Sequence, residues 1–472
     1  MMTRITQFLF GAALVALFST VCIVDASLWR GAVTGKYFWF ASAMCLAVPL
    51  WCIRMYRNPQ GDPVIRSADI AFAAFAVYAV LRHVLTEGIG GGMHWYLFLL
   101  MIPLYAMIRS LSGSRNMTAL LTGIIVVFAF VEAVWGILQL CGWLPSYHRG
   151  FRITGSLFNP GPYAGFIAVC VPLALSLALD RTVISGKRWP GIVALVVMSG
   201  VLPFTGSRAA WLAALAGSAV VLWTVFGERV MTRIPRNRRV AGMIVGTAVV
   251  LALLYGAYHL KKDSANGRWL IWKVTASMIG EHPLFGTGQG RFAAVYPDAQ
   301  ADWFAAGKGS EAEIAVAGNP AYAFNEWLHI AVELGITGLF VFGLAVLLCL
   351  GVRWSGATAT GGYGNNRYTA YRASLLSFCV FASFSYPFDV LPLSMLFTVL
   401  AAATASDTRA LRRQPGFRNI WPGMALCVVM TGIVSSGILR NRPYYADWRE
   451  AHNLLLGGSY HDALEEYGYL HD

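Results

Sequence analysis

Apolar runs long enough to cross a bilayer recur along almost the whole 472-residue chain. A transmembrane helix needs about 17 to 25 predominantly apolar residues. Only 12% of the residues are charged, whereas soluble domains use about 25%. The sequence therefore predicts an all-α integral membrane protein with about 12–13 transmembrane helices. The predicted spans lie near residues 8–24, 37–53, 69–85, 94–109, 117–141, 161–179, 190–206, 208–226, 240–258, 325–351, 373–386, 389–405 and 420–438.

The distribution of basic residues predicts how the chain is oriented. If the N-terminus is cytoplasmic, roughly 20 of the 36 Lys and Arg residues fall in inner connections, as the positive-inside rule requires. The net charge of +13 is then explained by topogenic loops such as "GERVMTRIPRNRRV", and no nucleic-acid partner is predicted. The first apolar run lacks a small-x-small cleavage site, so we interpret it as a retained anchor in the membrane lipids.

The same alternation places one exceptionally long segment, residues 259–324, on the outer side. The predicted organisation is a polytopic membrane domain over 1–438, with the loop 259–324 inserted in it, followed by a helical tail over 439–472. Loops of such length in compact proteins are usually functional or disordered. Within the loop, "GRWLIWKVTASMIGEHP" predicts an amphipathic interfacial helix that ends at Pro283.

The tail resembles one tetratricopeptide repeat. Its small and apolar residues stand at the offsets where that repeat places its packing residues. One repeat cannot bury its own face, so the tail is either cut short or docks on another surface. These positions are Ala451, Leu454, Ala463, Tyr467 and Leu470.

The stretch "LFGTGQGRF" has two interpretations. In the first, its three alternating glycines allow backbone N–H groups to surround a phosphate. In the second, they form a tight turn packed at the membrane surface. Arg291 follows this run, while Arg208 and Arg268 stand at other membrane boundaries on the outer side. Each of these arginines either snorkels, caps a helix or binds an anion, and the planar guanidinium suits a diphosphate.

Four polar residues open the membrane helix in "NEWLHIAVELGITGLF". Asn325, Glu326, His329 and Glu333 fall within about a quarter turn of one helix face. Asn325 is expected to cap the helix, and Glu333 stands at i+4 to pair with His329. A general base near the outer leaflet would also be expected on a polar helix face of this kind.

No metal site is predicted. The chain lacks a His-Glu-x-x-His motif, and the polar face at 325–333 has no convincing third ligand. All eight cysteines lie in or at the edge of apolar runs, which argues against a disulfide framework and against a thiolate metal site.

Three blocks together resemble the O-antigen ligase and polymerase superfamily over roughly residues 150–350. They are "FTGSRAAWLA", "GRWLIWKVTASMIGEHPLFGTGQGRF" and "NEWLHIAVELGITGLF", in this order. The resemblance implies a multi-pass inverting glycosyltransferase of the bacterial inner membrane, with its active site, long loop and tail on the periplasmic side. It also implies an undecaprenyl-diphosphate-linked glycan as donor, and no cofactor or metal.

By resemblance, Arg208 and Arg268 match the diphosphate-binding arginines of the family, and Arg291 is a third candidate. The family's catalytic histidine directly precedes the asparagine of the last block. In this chain that position is Phe324, followed by Asn325 as a substrate-positioning residue.

A different residue must then supply the catalytic base. Our first candidate is His329, which projects to nearly the same helix face as Asn325. Glu326 is the second candidate, and His282 in the loop is a further alternative.

The acceptor decides the function within the family. Lipid A core makes the enzyme an O-antigen ligase, which is the interpretation favoured here. A second lipid-linked repeat makes it a polymerase, and a protein hydroxyl makes it an O-oligosaccharyltransferase. The sequence does not identify the acceptor.

A transporter of lipid-linked substrates is the alternative from another class. It predicts ionisable residues at the midplane of several spans and an internal repeat. Few such residues are found, among them Glu132, Gln139 and Asp389, and no repeat is evident. Glu132 is interpreted as a satisfied structural carboxylate.

Overall fold

Helices make up nearly all of the regular structure in this computed structural model. The structure describes residues 2–57, 64–88, 90–180, 188–235, 237–238, 242, 262–351, 366–413 and 421–470. The predicted span at 240–258 lies outside the described residues, apart from Gly242.

The helices alternate with short connections along most of the chain. The α-helices are α1 (Met2–Phe18), α2 (Gly31–Arg57), α3 (Ser67–Glu87), α4 (Met93–Leu111), α5 (Arg115–Leu140), α6 (Pro160–Leu179), α7 (Trp189–Val201), α8 (Arg208–Arg233), α9 (Lys262–Glu281), α10 (Phe292–Ala305), α11 (Glu311–Ile314), α12 (Glu326–Leu350), α13 (Asn366–Ala382), α14 (Leu391–Ala405), α15 (Trp421–Arg440), α16 (Arg442–Leu456) and α17 (Tyr460–Tyr469). Two short strands, β1 (Val64–Arg66) and β2 (Ala410–Arg413), pair antiparallel.

Among the described residues, nine helical segments are long and apolar enough to cross a membrane. Two further apolar helices, Trp189–Thr205 and Leu391–Ala405, are shorter and correspond to the predicted spans 190–206 and 389–405. The predicted all-α membrane fold is therefore confirmed, and the chain is a multi-pass membrane protein. The β1–β2 pair is a small local exception near one end of the bundle.

Close helix packing in the bundle depends on small residues, as is usual in membranes. Helix α6 is the most buried of the candidate spans and contacts both α8 and α13. A Cβ on Gly217 of α8 would lie 2.1 Å from Ser377 Oγ of α13, and a Cβ on Gly165 of α6 would lie 2.3 Å from the Phe381 ring. These glycines allow the three helices to approach one another.

A buried polar network joins the N-terminal helices to the segment before α6. The ammonium of Lys36 donates to Val21 O at 2.6 Å and to Ser156 Oγ at 3.1 Å. Glu132 accepts from both Ser156 N at 3.0 Å and Ser156 Oγ at 2.5 Å. Because both charged groups are buried and bonded within the bundle, Glu132 is the satisfied structural carboxylate expected from the sequence.

Contacts between connections define two ends of the bundle. At the ladder end, β1 pairs with β2, and Arg109 bonds Asp69 at 2.9 Å and Ser406 Oγ at 3.2 Å. At the site end, Arg82 near the end of α3 donates to Gly286 O at 3.1 Å. The loop 282–291 thus packs on the site end of the bundle.

Helix α12 is interrupted at Gly335, whose φ of 71° and ψ of 179° are not helical. At the interruption, backbone groups of α12 pair with the segment 283–288. Non-helical backbone at membrane depth requires such partners, because lipid offers no hydrogen bonds. The bonds run from Thr287 N to Val332 O, from Gly288 N to Glu333 O, from Ile336 N to Pro283 O, from Thr337 N to Leu284 O and from the Tyr78 hydroxyl to Leu334 O.

The glycine run is explained by this close contact. A Cβ on Gly286 would lie 2.4 Å from Val332 O, and a Cβ on Gly335 would lie 2.2 Å from Leu284 O. The Thr287 and Gly288 N–H groups already donate to carbonyls of α12, so they are not available to wrap a phosphate. The tight-turn interpretation of this stretch is therefore the one the structure supports.

Helix α16 packs on the connection between α1 and α2, and α17 packs on α16. Trp29 N donates to Tyr445 O at 2.8 Å, the Trp29 indole stacks on Trp448 at 5.9 Å, and Arg442 bonds Asp25 at 3.1 Å. Two of the predicted packing residues of the tail, Ala451 and Ala463, are buried. The tail thus docks on the chain's own residues 25–30.

Candidate functional site

A cavity of about 1160 Å³ lies between α3, α4, α12 and α14. Its lining runs along α3 from Asp69 at the ladder end to Glu87 at the site end. Polar residues gather at the site end, and the rest of the lining is mostly apolar. The polar residues there include His83, Glu87, His94, Arg291, Tyr322, Glu326, His329, Glu333 and Asp389.

His329 and Glu333 form the ion pair expected from their spacing on α12. His329 Nε2 lies 3.3 Å from Glu333 Oε1, and both side chains are largely buried. Glu333 Oε1 also accepts from Phe292 N at 3.1 Å, which fixes the start of α10. On its other side, His329 Nδ1 accepts a long hydrogen bond of 3.5 Å from Ala323 N. The imidazole is thus held in one orientation at the cavity wall.

Glu326 and Asp389 bring two more carboxyl groups to the same end of the cavity. Glu326 Oε1 accepts from Phe388 N at 2.8 Å and so positions the 3-10 turn Pro387–Asp389. Both carboxyl groups line the cavity, and Glu326 is buried. The sequence indicates Asp389 only as an ionisable residue in a predicted span. No pattern in the chain predicts that the turn before α14 folds against the start of α12.

Asn325 caps α12 as predicted. Its side-chain oxygen accepts from Trp327 N at 3.0 Å and from Leu328 N at 3.2 Å. These contacts occupy the amide oxygen in helix capping. A substrate-positioning role for Asn325 stays a prediction.

Arg268 lies outside the described lining of the cavity, in a cluster with aromatic residues. Its Nη1 donates to Phe384 O at 2.8 Å, and its guanidinium lies 5.2 Å from the centre of the Phe324 ring. Burial lowers the pKa of Arg268, and the positive charge of Arg208 lowers it further. The last effect shows that Arg208, at the first position of α8, is close enough to act on Arg268 electrostatically.

Phe324 stands where the resemblance implies a histidine. Its backbone has a left-handed conformation, with φ of 51°. Such a conformation is uncommon for residues other than glycine and marks local strain. In this conformation the Phe324 ring lies next to the Arg268 guanidinium and makes a cation–π contact with it. Phe324 is therefore part of the arginine cluster although it has no group that can move a proton.

Two stacked tyrosines connect the arginine cluster to the cavity. The rings of Tyr322 and Tyr386 lie 4.3 Å apart and are nearly parallel, with 7° between their planes. Tyr386 meets the Phe324 ring edge-on at 5.3 Å, and Tyr322 lines the cavity. No sequence pattern predicts this pair, because its members are far apart in the chain and carry no motif.

Arg291 stands at the site end of the cavity, apart from the other two candidate arginines. Its Nε lies 3.4 Å from Glu87 Oε1, and both side chains are substantially exposed. A carboxylate partner reduces the charge that Arg291 offers to an anion. The structure thus separates Arg291 from the electrostatically coupled pair Arg208 and Arg268.

His282, the further alternative for the base, lies directly after α9 and outside the cavity lining. Among the described residues, no three His, Cys, Asp or Glu side chains are grouped so that they could hold a metal ion.

Helix α9 contains most of the stretch for which the sequence predicts an amphipathic helix at the membrane interface. In the structure, its apolar face is buried against other helices of the protein. It packs against α10 and α12 through Leu270, Val274, Met278, Phe292, Tyr296 and Val332.

A histidine with carboxylates at a membrane cavity, and two arginines outside its lining, suit a transfer reaction on a lipid-linked anionic substrate. Comparison with known families shows a similarity for part of the chain. Residues 193–343 match the O-antigen ligase family. This part of the chain is therefore similar to membrane enzymes of that family. No curated protein matches it.

The O-antigen ligase match covers the first and last candidate residues, from Arg208 to Glu333. Tyr386 and Phe388 lie beyond its end, although Tyr386 contacts Phe324 and Phe388 N donates to Glu326 within it. The site therefore includes a segment, the turn before α14, that the matched region does not contain.

Proposed function

We propose that this protein is an O-antigen ligase of the bacterial inner membrane, which transfers a glycan from undecaprenyl diphosphate to a hydroxyl of lipid A core on the periplasmic side. The observation that carries the proposal is the arrangement of two unlike sites. The coupled arginines Arg208 and Arg268 form one, and the His329 carboxylate cluster forms the other, with Tyr322 and Tyr386 between them. The match to the O-antigen ligase family over 193–343 supports it.

The arginine pair suits the donor. A diphosphate is a good leaving group, so the reaction needs positive charge on the departing oxygens more than it needs a general acid. As the anomeric C–O bond breaks, its electron pair stays on the diphosphate, next to Arg208 and Arg268. The guanidinium group presents paired N–H donors that match two phosphate oxygens.

The histidine cluster suits the acceptor. An acceptor hydroxyl attacks the anomeric carbon, forms the new C–O bond with inversion, and loses its proton to a base. His329 is our first candidate for that base, with Nδ1 as the receiving atom because Nε2 faces Glu333. The weak 3.5 Å contact from Ala323 N must lengthen for this to occur. Glu326, which also lines the cavity, is the second candidate.

Glycan transfer by the purified protein tests the donor site. The assay supplies undecaprenyl-diphosphate-linked glycan and lipid A core, with chelator and without nucleotide sugar. We expect Arg208→Ala and Arg268→Ala each to reduce kcat by about 100-fold or more, because each removes a donor aimed at developing charge. Arg268→Lys should recover only part of the activity, since a lysine lacks the planar fork. Unchanged transfer by both alanine variants would contradict the diphosphate-binding role.

Arg149→Ala is the matched control, because Arg149 is exposed in the connection before α6 and lies outside the cavity lining. It should transfer glycan at the wild-type rate. A wild-type protein that transfers nothing to lipid A core would overturn the ligase assignment. Elongation of the donor alone would assign a polymerase, and transfer to a protein hydroxyl would assign an O-oligosaccharyltransferase.

The identity of the base is tested separately. His329→Gln keeps a polar side chain at the cavity wall but removes the basic nitrogen, and Glu326→Gln keeps a side-chain oxygen that can accept from Phe388 N. The variant at the true base should lose kcat by about 100-fold, with KM changed far less. Equal, small losses in both variants would exclude both residues as the base.

A transporter of lipid-linked substrates is the second candidate function, because the cavity runs along most of α3 and holds buried carboxyl groups at one end. Proteoliposomes that move a fluorescent polyprenyl-diphosphate glycan between leaflets, without forming any new glycosidic bond, would favour it. Glycan transfer in detergent, where there are no leaflets, would favour the ligase.

A further inference from the structure

The mostly apolar part of the cavity extends along α3, and we call it the slot. Asp69 and Glu87, both in the lining, are separated by 18 residues of α3, which is about 27 Å of helix. The hydrocarbon core of a bilayer is about 30 Å thick. The slot therefore follows most of the depth of the membrane, from the polar residues at the site end to the Arg109–Asp69 pair at the ladder end.

The slot is large enough to hold a ligand. Protein interiors leave few voids larger than a water molecule, and ligand pockets measure roughly 300–1,000 Å³. A volume of about 1160 Å³ exceeds that range. Water is a poor occupant, because a buried water needs polar partners and this stretch offers mostly apolar ones. Its walls include Phe72, Phe75, Phe98, Met101, Phe342 and Phe397.

The shape of the slot favours a hydrocarbon chain, and its polar end favours a particular head group. Among the described lining residues, the single arginine at that end, Arg291, is engaged by Glu87 at 3.4 Å, and His329 is engaged by Glu333. Glu326 and Asp389 add two more carboxyl groups. Carboxylates accept hydrogen bonds from hydroxyl groups but repel a diphosphate.

We propose that the slot holds a hydrocarbon chain of the acceptor, so that the acceptor is a hydroxyl-bearing glycolipid whose head lies at Glu326, His329 and Asp389. This inference rests on the proposed function, because it assigns the arginine pair outside the lining to the donor diphosphate. It adds to the proposed function the place where the lipid acceptor lies, and it gives donor and acceptor separate binding positions.

Photo-crosslinking tests the slot without any need for catalysis. Two probes are used on the full-length protein in nanodiscs. One is a diacylglycerol that carries a single hexose and a diazirine in one acyl chain, and the other is a polyprenyl diphosphate with a diazirine in its chain. We expect the hexose lipid to label peptides that contain Phe72 and Phe98, and the polyprenyl diphosphate to label residues outside the slot. Labelling of the slot mainly by the polyprenyl diphosphate, or by neither probe, would overturn the proposal.

Neighbouring alanines of α3 provide a matched pair of variants. Ala73 and Ala74 are both exposed in the bundle, but only Ala73 lines the slot. Ala73→Trp should reduce labelling by the hexose lipid about tenfold or more by filling the slot, and Ala74→Trp should leave it unchanged. Ala76→Trp, at a second lining position, serves if Ala73→Trp does not fold. Equal labelling in the Ala73 and Ala74 variants would overturn the proposal.

Transfer assays then separate this inference from the proposed function. With an acylated acceptor, Ala73→Trp should raise KM about tenfold, while transfer to the same acceptor without its acyl chains should be unchanged. Loss of transfer to both acceptors would assign the slot to the donor and overturn the inference. A wild-type protein that transfers to neither acceptor but binds the hexose lipid in the slot would overturn the proposed function, and with it the acceptor assignment, while confirming the slot as a glycolipid site.

Discussion

Replacement of Gly335 by alanine should destabilise the protein, because two separate costs meet at this position. Its φ of 71° and ψ of 179° lie in a region that is essentially restricted to glycine, which costs about 1–3 kcal/mol for another residue. The added Cβ would also lie 2.2 Å from Leu284 O and 2.4 Å from Leu284 C. Both of these are backbone atoms, so no side-chain rotation relieves the overlap.

Relief requires the segment 283–288 to move away from α12. That movement breaks the bonds from Ile336 N to Pro283 O and from Thr337 N to Leu284 O, each worth about 0.5–1.5 kcal/mol. The expected loss in the free energy of unfolding for Gly335→Ala is therefore about 2–6 kcal/mol. Activity should fall as well, because the same segment leads to Phe292, whose N–H bonds the Glu333 carboxylate.

Gly343→Ala is the matched control in the same helix. A Cβ at Gly343 meets no atom within 4 Å, so alanine should be neutral or stabilise α12 by about 0.5–1 kcal/mol. Denaturant titration of both variants in detergent, with wild-type protein alongside, measures the difference. If the free energies of unfolding of Gly335→Ala and Gly343→Ala differ by less than about 0.5 kcal/mol, neither the backbone conformation of Gly335 nor its close contact with Leu284 makes alanine unfavourable there.

Two further predictions concern charged groups elsewhere in the chain. Lys36→Met should destabilise the protein by about 3–5 kcal/mol, because it leaves Glu132 buried without its cation. The double variant Lys36→Met with Glu132→Gln should lose less free energy of unfolding than the sum of the losses in the two single variants. Denaturant titration measures these losses. The pKa of Glu313 is lowered by its 2.7 Å bond to Lys273, so the stability this pair provides is present above the ordinary carboxyl pKa and is lost as the pH falls through the lowered value. The protection factors of the α11 amides, which correct hydrogen exchange for its intrinsic slowing on acidification, should therefore fall as the pH falls in the wild type and should be low and constant over this pH range in Glu313→Gln.

The sequence predicts most of the helices because hydropathy depends on local composition, which each span carries in itself. The interruption at Gly335 was not predicted, since a break in a membrane helix depends on a partner for the exposed carbonyls. That partner, the segment 283–288, lies about fifty residues earlier in the chain. The glycines of both stretches were visible, but only their mutual contact explains them.

The site shows the same division between local and distant information. The Asn325 cap and the His329–Glu333 pair follow from helical spacing, and both expectations are confirmed. The contact between Arg268 and Phe324 and the placement of Asp389 near Glu326 depend on how the turn before α14 folds back. No local pattern contains that information. The catalytic and diphosphate-binding roles stay predictions for the assays described above.

The β1–β2 ladder has a consequence for the order of assembly during synthesis. Its partners Val64 and Arg413 are roughly 350 residues apart, and Arg66 Nη1 donates to Thr408 O beside it. A chain that grows from its N-terminus must therefore insert α1 to α14 before this contact forms. Until then, α3 and α4 are joined at that end of the cavity by Arg109 and Tyr105, which both bond Asp69. A nascent chain halted before residue 406 should thus carry an unfinished cavity, open where the finished protein is closed.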